Sequence, residues 1–254
     1  MSGSIDLVFG INPVREALRA GRKAFELFAQ TNPRDHRIPQ IIALAESAGI
    51  PVRRRERPDL DRLAASTHHQ GVILRVAPFT YQDLDTVLDD IKSGAGLILA
   101  LDTIQDPQNL GALIRSAACA GVQAVLIPKD RACGITPAVE RASAGAVETV
   151  PVVQVGNLVQ ALEKLKQNGF WVYGLVGEAP DTVYQASFVG ATVLVVGNEG
   201  DGIRPLVRST CDHLVSIPQY GGVSSLNASV AGGIVLFEAA RQRNQGEHTA
   251  GTTP

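Results

Sequence analysis

The larger, C-terminal part of the chain alternates between short unbroken apolar runs and segments whose apolar residues recur at helical spacing. The apolar runs are rich in Val, Ile and Leu, which is typical of strands buried on both faces of a parallel sheet. The pattern predicts an α/β fold with six parallel strands, at Leu97–Leu101, Ala124–Ile127, Val150–Val155, Phe170–Val176, Val193–Val196 and His213–Ile217. Between and after them it predicts helices at Leu110–Ala120, Pro137–Ala144, Leu158–Asn168, Ile203–Ser209 and Leu226–Arg241.

The first part of the chain predicts a separate, smaller α/β unit. A helix is expected up to Gly21 with Asn12 as its N-cap and Pro13 at its first position. Strands are predicted at Ala24–Ala29, Ile50–Arg54 and Gly71–Val76, and helices at Ile38–Ala48 and Pro58–Ala65. We therefore expect a small α/β domain at 1–77, a linker with an amphipathic helix at 78–96, a parallel-sheet domain at 97–243 and a disordered polar tail at 244–254.

Charge is distributed unevenly between the two predicted domains. The net charge is −2, but residues 1–80 hold 12 Lys/Arg and 8 Asp/Glu (+4), whereas residues 81–254 hold 11 and 17 (−6). Consecutive arginines at Arg53, Arg54 and Arg55 are either a solvated strand edge or part of a surface that binds a polyanion. No apolar run approaches the roughly 20 residues of a membrane span, and three cysteines without a CxxC motif are typical of a reducing cytoplasm.

Two of the predicted strands are followed by glycine-rich, polar segments. Val193–Val196 is followed by Gly197-Asn198-Glu199-Gly200-Asp201-Gly202, and His213–Ile217 by Pro218 and a segment that ends in Ser225-Leu226-Asn227. Parallel strands end at the same edge of a sheet, so these segments predict a shared ligand crevice. The glycine spacing is GxxGxG rather than GxGxxG, and no Gly-Lys-Ser/Thr follows, which disfavours a dinucleotide fold and a P-loop.

A third segment follows the first parallel strand and contains a single arginine in an apolar helix. It reads Asp106-Pro-Gln-Asn-Leu-Gly-Ala-Leu-Ile-Arg115, and Asp106 or Asn109 can cap the helix. Arg115 is either a surface residue with a buried stem or a guanidinium that binds a phosphate or carboxylate.

The three segments resemble, in the family's order, the motifs of the SpoU-type RNA 2′-O-methyltransferases of the trefoil-knot SPOUT superfamily. The matching residues are Asp106 to Arg115, Gly197-Asn-Glu-Gly200, and Ile217-Pro218 with Ser225-Leu-Asn227. Phe9-Gly10-Ile11-Asn12-Pro13-Val14 and His69-Gln70-Gly71-Val72 resemble the N-terminal part of the 23S rRNA guanosine 2′-O-methyltransferases. The resemblance covers nearly the whole chain, and Tyr220 stands where the family leads us to expect a smaller residue.

The resemblance implies methylation of a ribose in 23S rRNA, with S-adenosylmethionine as the methyl donor, by a homodimer whose sites draw on both subunits. It implies a C-terminal trefoil knot, a known exception to the rule against knotted chains. The implied catalytic residues are Asn109, Arg115, Glu199, Ser225 and Asn227, and the implied cofactor-binding residues are Gly197, Asn198, Gly200, Ile217, Pro218, Ser225 and Leu226. We expect RNA contacts from Arg53, Arg54, Arg55 and Arg115, and neither a metal nor a membrane as a partner.

Other interpretations of the same residues remain open. Glu199 can simply cap the helix after Gly200, and Ser225 and Asn227 can be N-caps of the last helix. Within the family Arg115 has been considered a base, but the high cost of deprotonating a guanidinium favours a phosphate clamp. His68 and His69, expected in a strand, point to opposite faces and favour no metal, and Phe170 and Trp171 are expected in the core. Alternative functions are tRNA ribose methylation, noncatalytic RNA binding in ribosome assembly, and nicotinamide-dependent oxidation.

Overall fold

The structure is a computed structural model that describes residues 5–91, 95–222 and 225–250, the last five of these without their side chains. The elements follow in the order β1 (Asp6–Phe9), α1 (Ile11–Arg19), β2 (Ala24–Gln30), α2 (Ile38–Ser47), β3 (Val52–Arg55), α3 (Arg57–Ala64), β4 (Val72–Val76), α4 (Leu84–Asp90), β5 (Leu97–Asp102), α5 (Pro107–Cys119), β6 (Ala124–Pro128), α6 (Pro137–Ala142), β7 (Val152–Val155), α7 (Leu158–Gln167), β8 (Trp171–Leu175), β9 (Asp181–Thr182), β10 (Thr192–Gly197), α8 (Pro205–Thr210), β11 (His213–Ser216) and α9 (Ala228–Ala250). A 3-10 helix spans Ala146–Glu148.

The chain divides into two compact units. The N-terminal unit contains residues 1–80 and 135–149, and the parallel-sheet unit contains residues 81–134 and 150–254. Each unit therefore combines two segments that are distant in the sequence, whereas each predicted domain is one continuous segment.

The N-terminal unit is built on a mixed sheet with the strand order β1-β4-β2-β3. β4 pairs antiparallel with β1 and β2, and β3 lies at the edge, parallel to β2. Helices α1 and α2 cover one side of the sheet through Ile11, Val14, Ile38 and Ile41, which are almost fully buried. Leu60 of α3 packs against Phe9, Phe28 and Ile73 in a second cluster.

The parallel-sheet unit contains a seven-stranded sheet with the order β7-β6-β5-β10-β8-β11-β9. All of its strand pairs are parallel, and Val193, Leu194, Val195 and Val196 of β10 are at most 2% exposed. This confirms the prediction of an α/β fold with a buried parallel sheet. The six strands predicted from their apolar runs are all present, with bounds that differ by one or two residues.

Several elements differ from the predictions because they form through contacts with distant residues, which local sequence patterns do not reveal. β1 was not predicted, and its four residues pair with β4, which lies more than 60 residues later. The two-residue strand β9 was also missed, and among the described residues it pairs with β11 alone. Trp171, expected in the core with Phe170, is 56% exposed and its ring lies 5.5 Å from that of His213, whereas Phe170 is buried.

The two ends of the chain also differ from expectation. Helix α1 begins at Ile11 after Gly10, whose φ of 98° is outside the helical region, so Asn12 is not the N-cap. Helix α9 continues to Ala250, so residues 244–250, predicted to belong to a disordered tail, are helical. Arg241 donates from Nη1 to Gln245 Oε1 at 2.7 Å, an i,i+4 contact that supports the helix beyond its buried apolar residues. Residues 1–4 and 251–254 lie outside the described residues, and the other domain bounds stay predictions.

A buried arginine ties residues 135–149 to the rest of the N-terminal unit. Arg22 Nη1 donates to Glu140 Oε1 at 2.5 Å and to Glu148 Oε1 at 2.8 Å. The Arg22 guanidinium also donates to the Ala77 carbonyl at 3.0 and 3.2 Å. Two carboxylates thus share one cation, and Glu140 Oε2 is buried without a hydrogen-bond partner. Burial raises the pKa of Glu140 to about 7, with Arg22 opposing the shift and Glu148 and Asp6 adding to it.

We expect Glu140→Gln to remove part of the pH dependence of folding. Because the Glu140 pKa is higher in the folded chain, its proton stabilises the fold at low pH, and this contribution is lost as pH rises through about 7. The free energy of unfolding of the unmodified protein should then fall by about 1 kcal/mol more than that of the variant between about pH 6 and pH 8. Thermal unfolding at both pH values measures this, with Glu163→Gln on exposed α7 surface as the control. Equal pH dependence in the three proteins contradicts the role of Glu140.

Candidate active site

The ends of three neighbouring strands form one cavity at the carboxyl edge of the parallel sheet. Its volume is about 330 Å³, and its apolar walls include Leu175, Val176, Ile217, Leu226 and Ala231. The sequence predicted a crevice from the ends of β10 and β11. The structure adds the end of β8, because β8 lies between those two strands.

The glycine-rich turn after β10 requires glycine where it begins. A Cβ on Gly197 would lie 2.1 Å from the carbonyl carbon of Gly202 and 2.4 Å from the nitrogen of Ile203. The turn is also ordered from within, since Asn198 Oδ1 accepts hydrogen bonds from the backbone N–H groups of Gly200 at 2.9 Å and Asp201 at 2.7 Å. The chain therefore folds back tightly on the strand end and presents Glu199 next to the cavity.

Glu199 is the centre of a polar cluster formed by three separate segments. Its Oε1 accepts from Asn109 Nδ2 at 2.8 Å, from Asn227 Nδ2, and from the backbone N–H of Ala228 at 3.3 Å. Asn227 Nδ2 also lies 3.0 Å from Asn109 Oδ1, so the two amides are linked to each other as well. Glu199 Oε2 has no hydrogen-bond partner within the described part of the chain.

Local capping explains why these two amides meet. Asp106 caps α5 by accepting from Gln108 N and Asn109 N, with Pro107 in the first turn, as the sequence predicts. Asn227 Oδ1 accepts from Ser229 N at 2.9 Å and Val230 N at 3.2 Å, so it caps α9 with its oxygen while its nitrogen joins the cluster. The interpretation of Asn227 as an N-cap is therefore confirmed, and its catalytic role stays a prediction that its place in the cluster permits. Glu199 helps to cap α9 rather than the helix after Gly200.

Close packing of α5 and α9 brings their first turns together. A Cβ on Gly232 of α9 would lie 2.3 Å from Leu113 Cδ2 of α5, so the Leu113 side chain occupies the space that a larger residue at position 232 would fill. The helices start side by side, and the site is formed where they meet the turn after β10.

A second cavity adjoins the first and shares Glu199 with it. Its volume is about 290 Å³, and Thr103, Ile104, Gln105, Asp106 and Asn109 line it together with Asn198 to Asp201 and Ala228. Glu199 thus borders two cavities, an arrangement suited to holding two reactants on either side of one carboxylate.

Two of the five predicted catalytic residues are not part of this cluster. Arg115 is exposed on α5 and makes no hydrogen bond or ion pair with any described residue. Ser225 is exposed and borders the larger cavity, also without a hydrogen bond to the described chain. The structure therefore brings together Asn109, Glu199 and Asn227 only.

The predicted cofactor residues lie at the larger cavity with one exception. Gly197, Asn198, Gly200, Ile217, Ser225 and Leu226 line it, whereas Pro218 does not. Sequence reasoning missed Asp102 and Thr103, although a polar pair directly after a buried strand was an available signal. Tyr220 is 95% exposed and is not a lining residue.

The three consecutive arginines lie on the edge strand β3 of the N-terminal unit. Arg53 forms an ion pair with Glu26, Arg54 Nη1 donates to the Gln30 carbonyl at 3.3 Å, and Arg55 has no partner in the described residues. All three are exposed. Because successive strand residues face opposite sides, Arg54 points away from the other two.

A groove between α1 and α2 carries further arginines that the sequence did not single out. It has a volume of about 400 Å³ and is lined by Arg15, Arg19 and Arg37 together with apolar residues of both helices. Arg15 and Arg19 are four residues apart, a spacing that places both on one face of a helix and could have indicated this groove from the sequence.

The two N-terminal motifs of the resemblance contact each other. Gln70 Oε1 accepts from the backbone N–H of Ile11 at 2.8 Å and so caps α1. Fully buried His69 accepts at Nδ1 from Gly71 N at 3.0 Å, so its Nε2 donates to Asp61 at 2.9 Å. His68 and His69 lie in a turn before β4 rather than in a strand.

Within the described residues there is no group of three potential metal ligands, and no helix there is long and apolar enough to span a membrane.

Comparison with known proteins identifies the family. The sequence model of the SpoU rRNA Methylase family matches residues 96–237, and that of RNA 2′-O ribose methyltransferase substrate binding matches residues 7–82. The chain belongs to the SpoU methyltransferase family.

Similar proteins span almost the whole chain. The 23S rRNA (guanosine-2′-O-)-methyltransferase RlmB of Vibrio vulnificus is 43% identical over 94% of this chain and 98% of its own. RlmB of Pseudomonas aeruginosa is 44% identical over 93% of this chain and 96% of its own. The SpoU methyltransferase AviRb of Streptomyces viridochromogenes, solved with AdoMet, has a TM-score of 0.80 at 25% identity, covering 95% of this chain and 91% of its own.

Proposed function

We propose that this protein transfers a methyl group from S-adenosylmethionine to the 2′-oxygen of a guanosine ribose in 23S rRNA. The observation that carries the proposal is the Asn109–Glu199–Asn227 cluster at the boundary of two cavities, in a chain of the SpoU methyltransferase family. The RlmB relatives, which match nearly from end to end, support the substrate.

The larger cavity suits S-adenosylmethionine. Leu175, Ile217 and Leu226 offer apolar surface for an adenine ring, and the tight turn at Gly197 exposes main chain to a ligand. Glu199 and Asp201 supply negative charge at the cavity wall, which suits a ligand with a sulfonium and an ammonium group. When bound, this cofactor supplies an electrophilic methyl group on sulfur.

The residues of the chain then orient the acceptor. Asn109 and Asn227 fix Glu199 Oε1, which leaves Oε2 to accept a hydrogen bond from a ribose hydroxyl or from a guanidinium. Holding the hydroxyl oxygen next to the methyl group lowers the entropic part of the barrier. Ser225, at the mouth of the larger cavity, positions the ligand by a hydrogen bond from its hydroxyl.

Arg115 acts in this proposal on the site of a second subunit of a homodimer. Its guanidinium is exposed and unpaired within the described chain, and it lies on α5, whose neighbour α9 exposes Val230 and Phe237. The guanidinium binds an RNA phosphate beside the 2′-hydroxyl, where its positive charge stabilises the developing negative charge.

The N-terminal unit supplies additional RNA contacts. Exposed Arg53, Arg54 and Arg55 offer guanidinium groups for phosphates, although Arg53 is paired with Glu26. The arginines of the groove between α1 and α2 add further donors, with their charge partly neutralised by Glu16 and Asp35. The enzyme then works in the cytoplasm, where ribosomal RNA is processed. The trefoil knot implied by the resemblance remains part of the same proposal.

Methyl transfer from labelled S-adenosylmethionine to separated 23S rRNA, 16S rRNA and tRNA tests the substrate. We expect label in 23S rRNA alone. Label in tRNA keeps the chemistry and contradicts the proposed substrate. A third outcome is that the protein binds the cofactor but transfers no methyl group, either to protein-free RNA or to partly assembled large subunits. That outcome favours a noncatalytic assembly factor.

A further inference from the structure

The turn that carries Glu199 is fastened at both ends to two consecutive residues of a different strand. At its start, Asn198 Nδ2 donates to Thr103 Oγ1 at 2.8 Å. At its end, Arg204 donates two hydrogen bonds to Asp102, from its backbone N–H to Oδ2 at 2.8 Å and from Nε to Oδ1 at 2.8 Å. The Arg204 guanidinium also forms an ion pair with the same carboxylate, with Nη2 2.7 Å from Oδ1. Asp102 ends β5 and Thr103 follows it, so the end of β5 holds the whole turn after β10.

The ion pair of Asp102 with Arg204 differs from a surface ion pair because its carboxylate is buried. The Asp102 side chain is fully buried, whereas that of Arg204 is 37% exposed. A buried carboxylate is tolerated only when charge and hydrogen bonds compensate for lost hydration. Here both oxygens are satisfied by Arg204 alone, through its backbone and its side chain. The pair therefore depends on Arg204 staying in one place, at the end of the turn.

Thr103 has a backbone conformation that a β-branched residue rarely adopts. Its φ is 61°, in the left-handed region, and its hydroxyl donates to the Asp102 carbonyl at 2.7 Å. With its hydrogen engaged there, the hydroxyl oxygen is available to accept from Asn198. Strained residues of this kind persist where the surroundings determine them, and they occur often at functional sites.

We propose that Asp102, Thr103 and Arg204 are positioning residues that set the turn between the two cavities. This inference rests on the proposed function. The three residues hold Glu199 within hydrogen-bond distance of Asn109 and Asn227. They also fix the positions of Gly200 and Asp201, which line the cofactor cavity. The functional consequence is alignment, because small displacements of positioning groups can cost about 100-fold in rate.

Arg204→Gln is the most informative variant. It keeps the backbone N–H to Asp102 and removes the guanidinium. We expect kcat to fall by about 10- to 100-fold and the Kd for S-adenosylmethionine to rise by about 10-fold, because the turn is no longer held at its end. Arg204→Lys restores a cation with a single donor head and should recover part of both values. Asp102→Asn should act in the same direction as Arg204→Gln.

The matched control is Arg241→Gln, which removes an arginine that is also held by both oxygens of one carboxylate, that of Glu238, on α9. We measure kcat, cofactor Kd by calorimetry and the midpoint of thermal unfolding for all variants. The inference requires that Arg204→Gln lose activity and cofactor affinity at temperatures where it stays folded, with partial recovery in Arg204→Lys and no loss in the control.

Three results overturn it: Arg204→Gln with normal kcat and Kd, equal losses in the control, or losses that follow the unfolded fraction alone. If Asp102→Asn does not fold, Arg204→Gln still decides. Failure of the proposed function is a separate outcome, because the unmodified protein would then lack methyl transfer or cofactor binding in the same assays.

Discussion

Glu199→Gln lowers kcat for methyl transfer by about 100-fold or more while the protein remains folded. Glu199 Oε1 accepts three hydrogen bonds, two of them from the amides of Asn109 and Asn227. Hydrogen bonds to a charged acceptor contribute about 1.5–3 kcal/mol each, so their weakening in a neutral amide is sufficient for a loss of this size. The glutamine amide also has N–H groups of its own, which cannot accept the hydrogen bonds that the amides of Asn109 and Asn227 donate.

The competing interpretation of Glu199 predicts a different result. If this carboxylate served only to cap α9, then Glu199→Gln would lower the thermal unfolding midpoint and leave kcat nearly unchanged. Asp201→Asn, assayed at saturating S-adenosylmethionine, is the matched charge control. Asp201 borders the same two cavities and adds to their charge, but its side chain makes no hydrogen bond to the described residues, so we expect a weaker cofactor affinity without the loss in kcat. Equal activity loss in both variants would show that charge at the cavity, rather than the cluster, matters.

Two inactive variants, Arg115→Ala and Glu199→Gln, restore activity when they are combined in one heterodimer. If Arg115 acts in the partner's site, one of the two sites receives both unmodified residues and the other receives neither. A purified heterodimer should then have about half the activity of the unmodified homodimer, because one of its two symmetric sites is intact.

The alternative arrangement gives no recovery. If Arg115 acted within its own subunit, each site of the heterodimer would contain one altered residue and would stay inactive. Differently tagged copies, co-expressed and purified in sequence, provide the heterodimer, and each inactive homodimer prepared in the same way is the control. Absence of a dimer in solution would contradict the assignment of Arg115 as well.

The parallel sheet and the position of the site were predictable because both depend on short-range patterns. Unbroken apolar runs such as Val193–Val196 are too short for helices, and polar glycine-rich turns at their ends face one edge of the sheet. The helix start at Asp106-Pro107 follows from local capping rules. These features need no knowledge of distant contacts.

Features that depend on distant partners were not predictable from the same patterns. β1 forms by pairing with β4, and residues 135–149 join the N-terminal unit through the contacts of Glu140 and Glu148 with Arg22. The role of Asp102 requires Arg204, which is 102 residues away. The usual burial of aromatic side chains also gave the wrong place for Trp171, since the first residue of a strand can be exposed while the residues that follow it are buried.

In the proposed function, the Glu199 cluster serves methylation of a ribose oxygen. The most direct test is the identity of the methylated nucleoside after 23S rRNA has been treated with the enzyme, digested and separated by chromatography with mass detection. We expect 2′-O-methylguanosine as the new product, and we expect it to be absent when Glu199→Gln replaces the unmodified enzyme. A nucleoside methylated on its base, or the same yield from the variant, would contradict it.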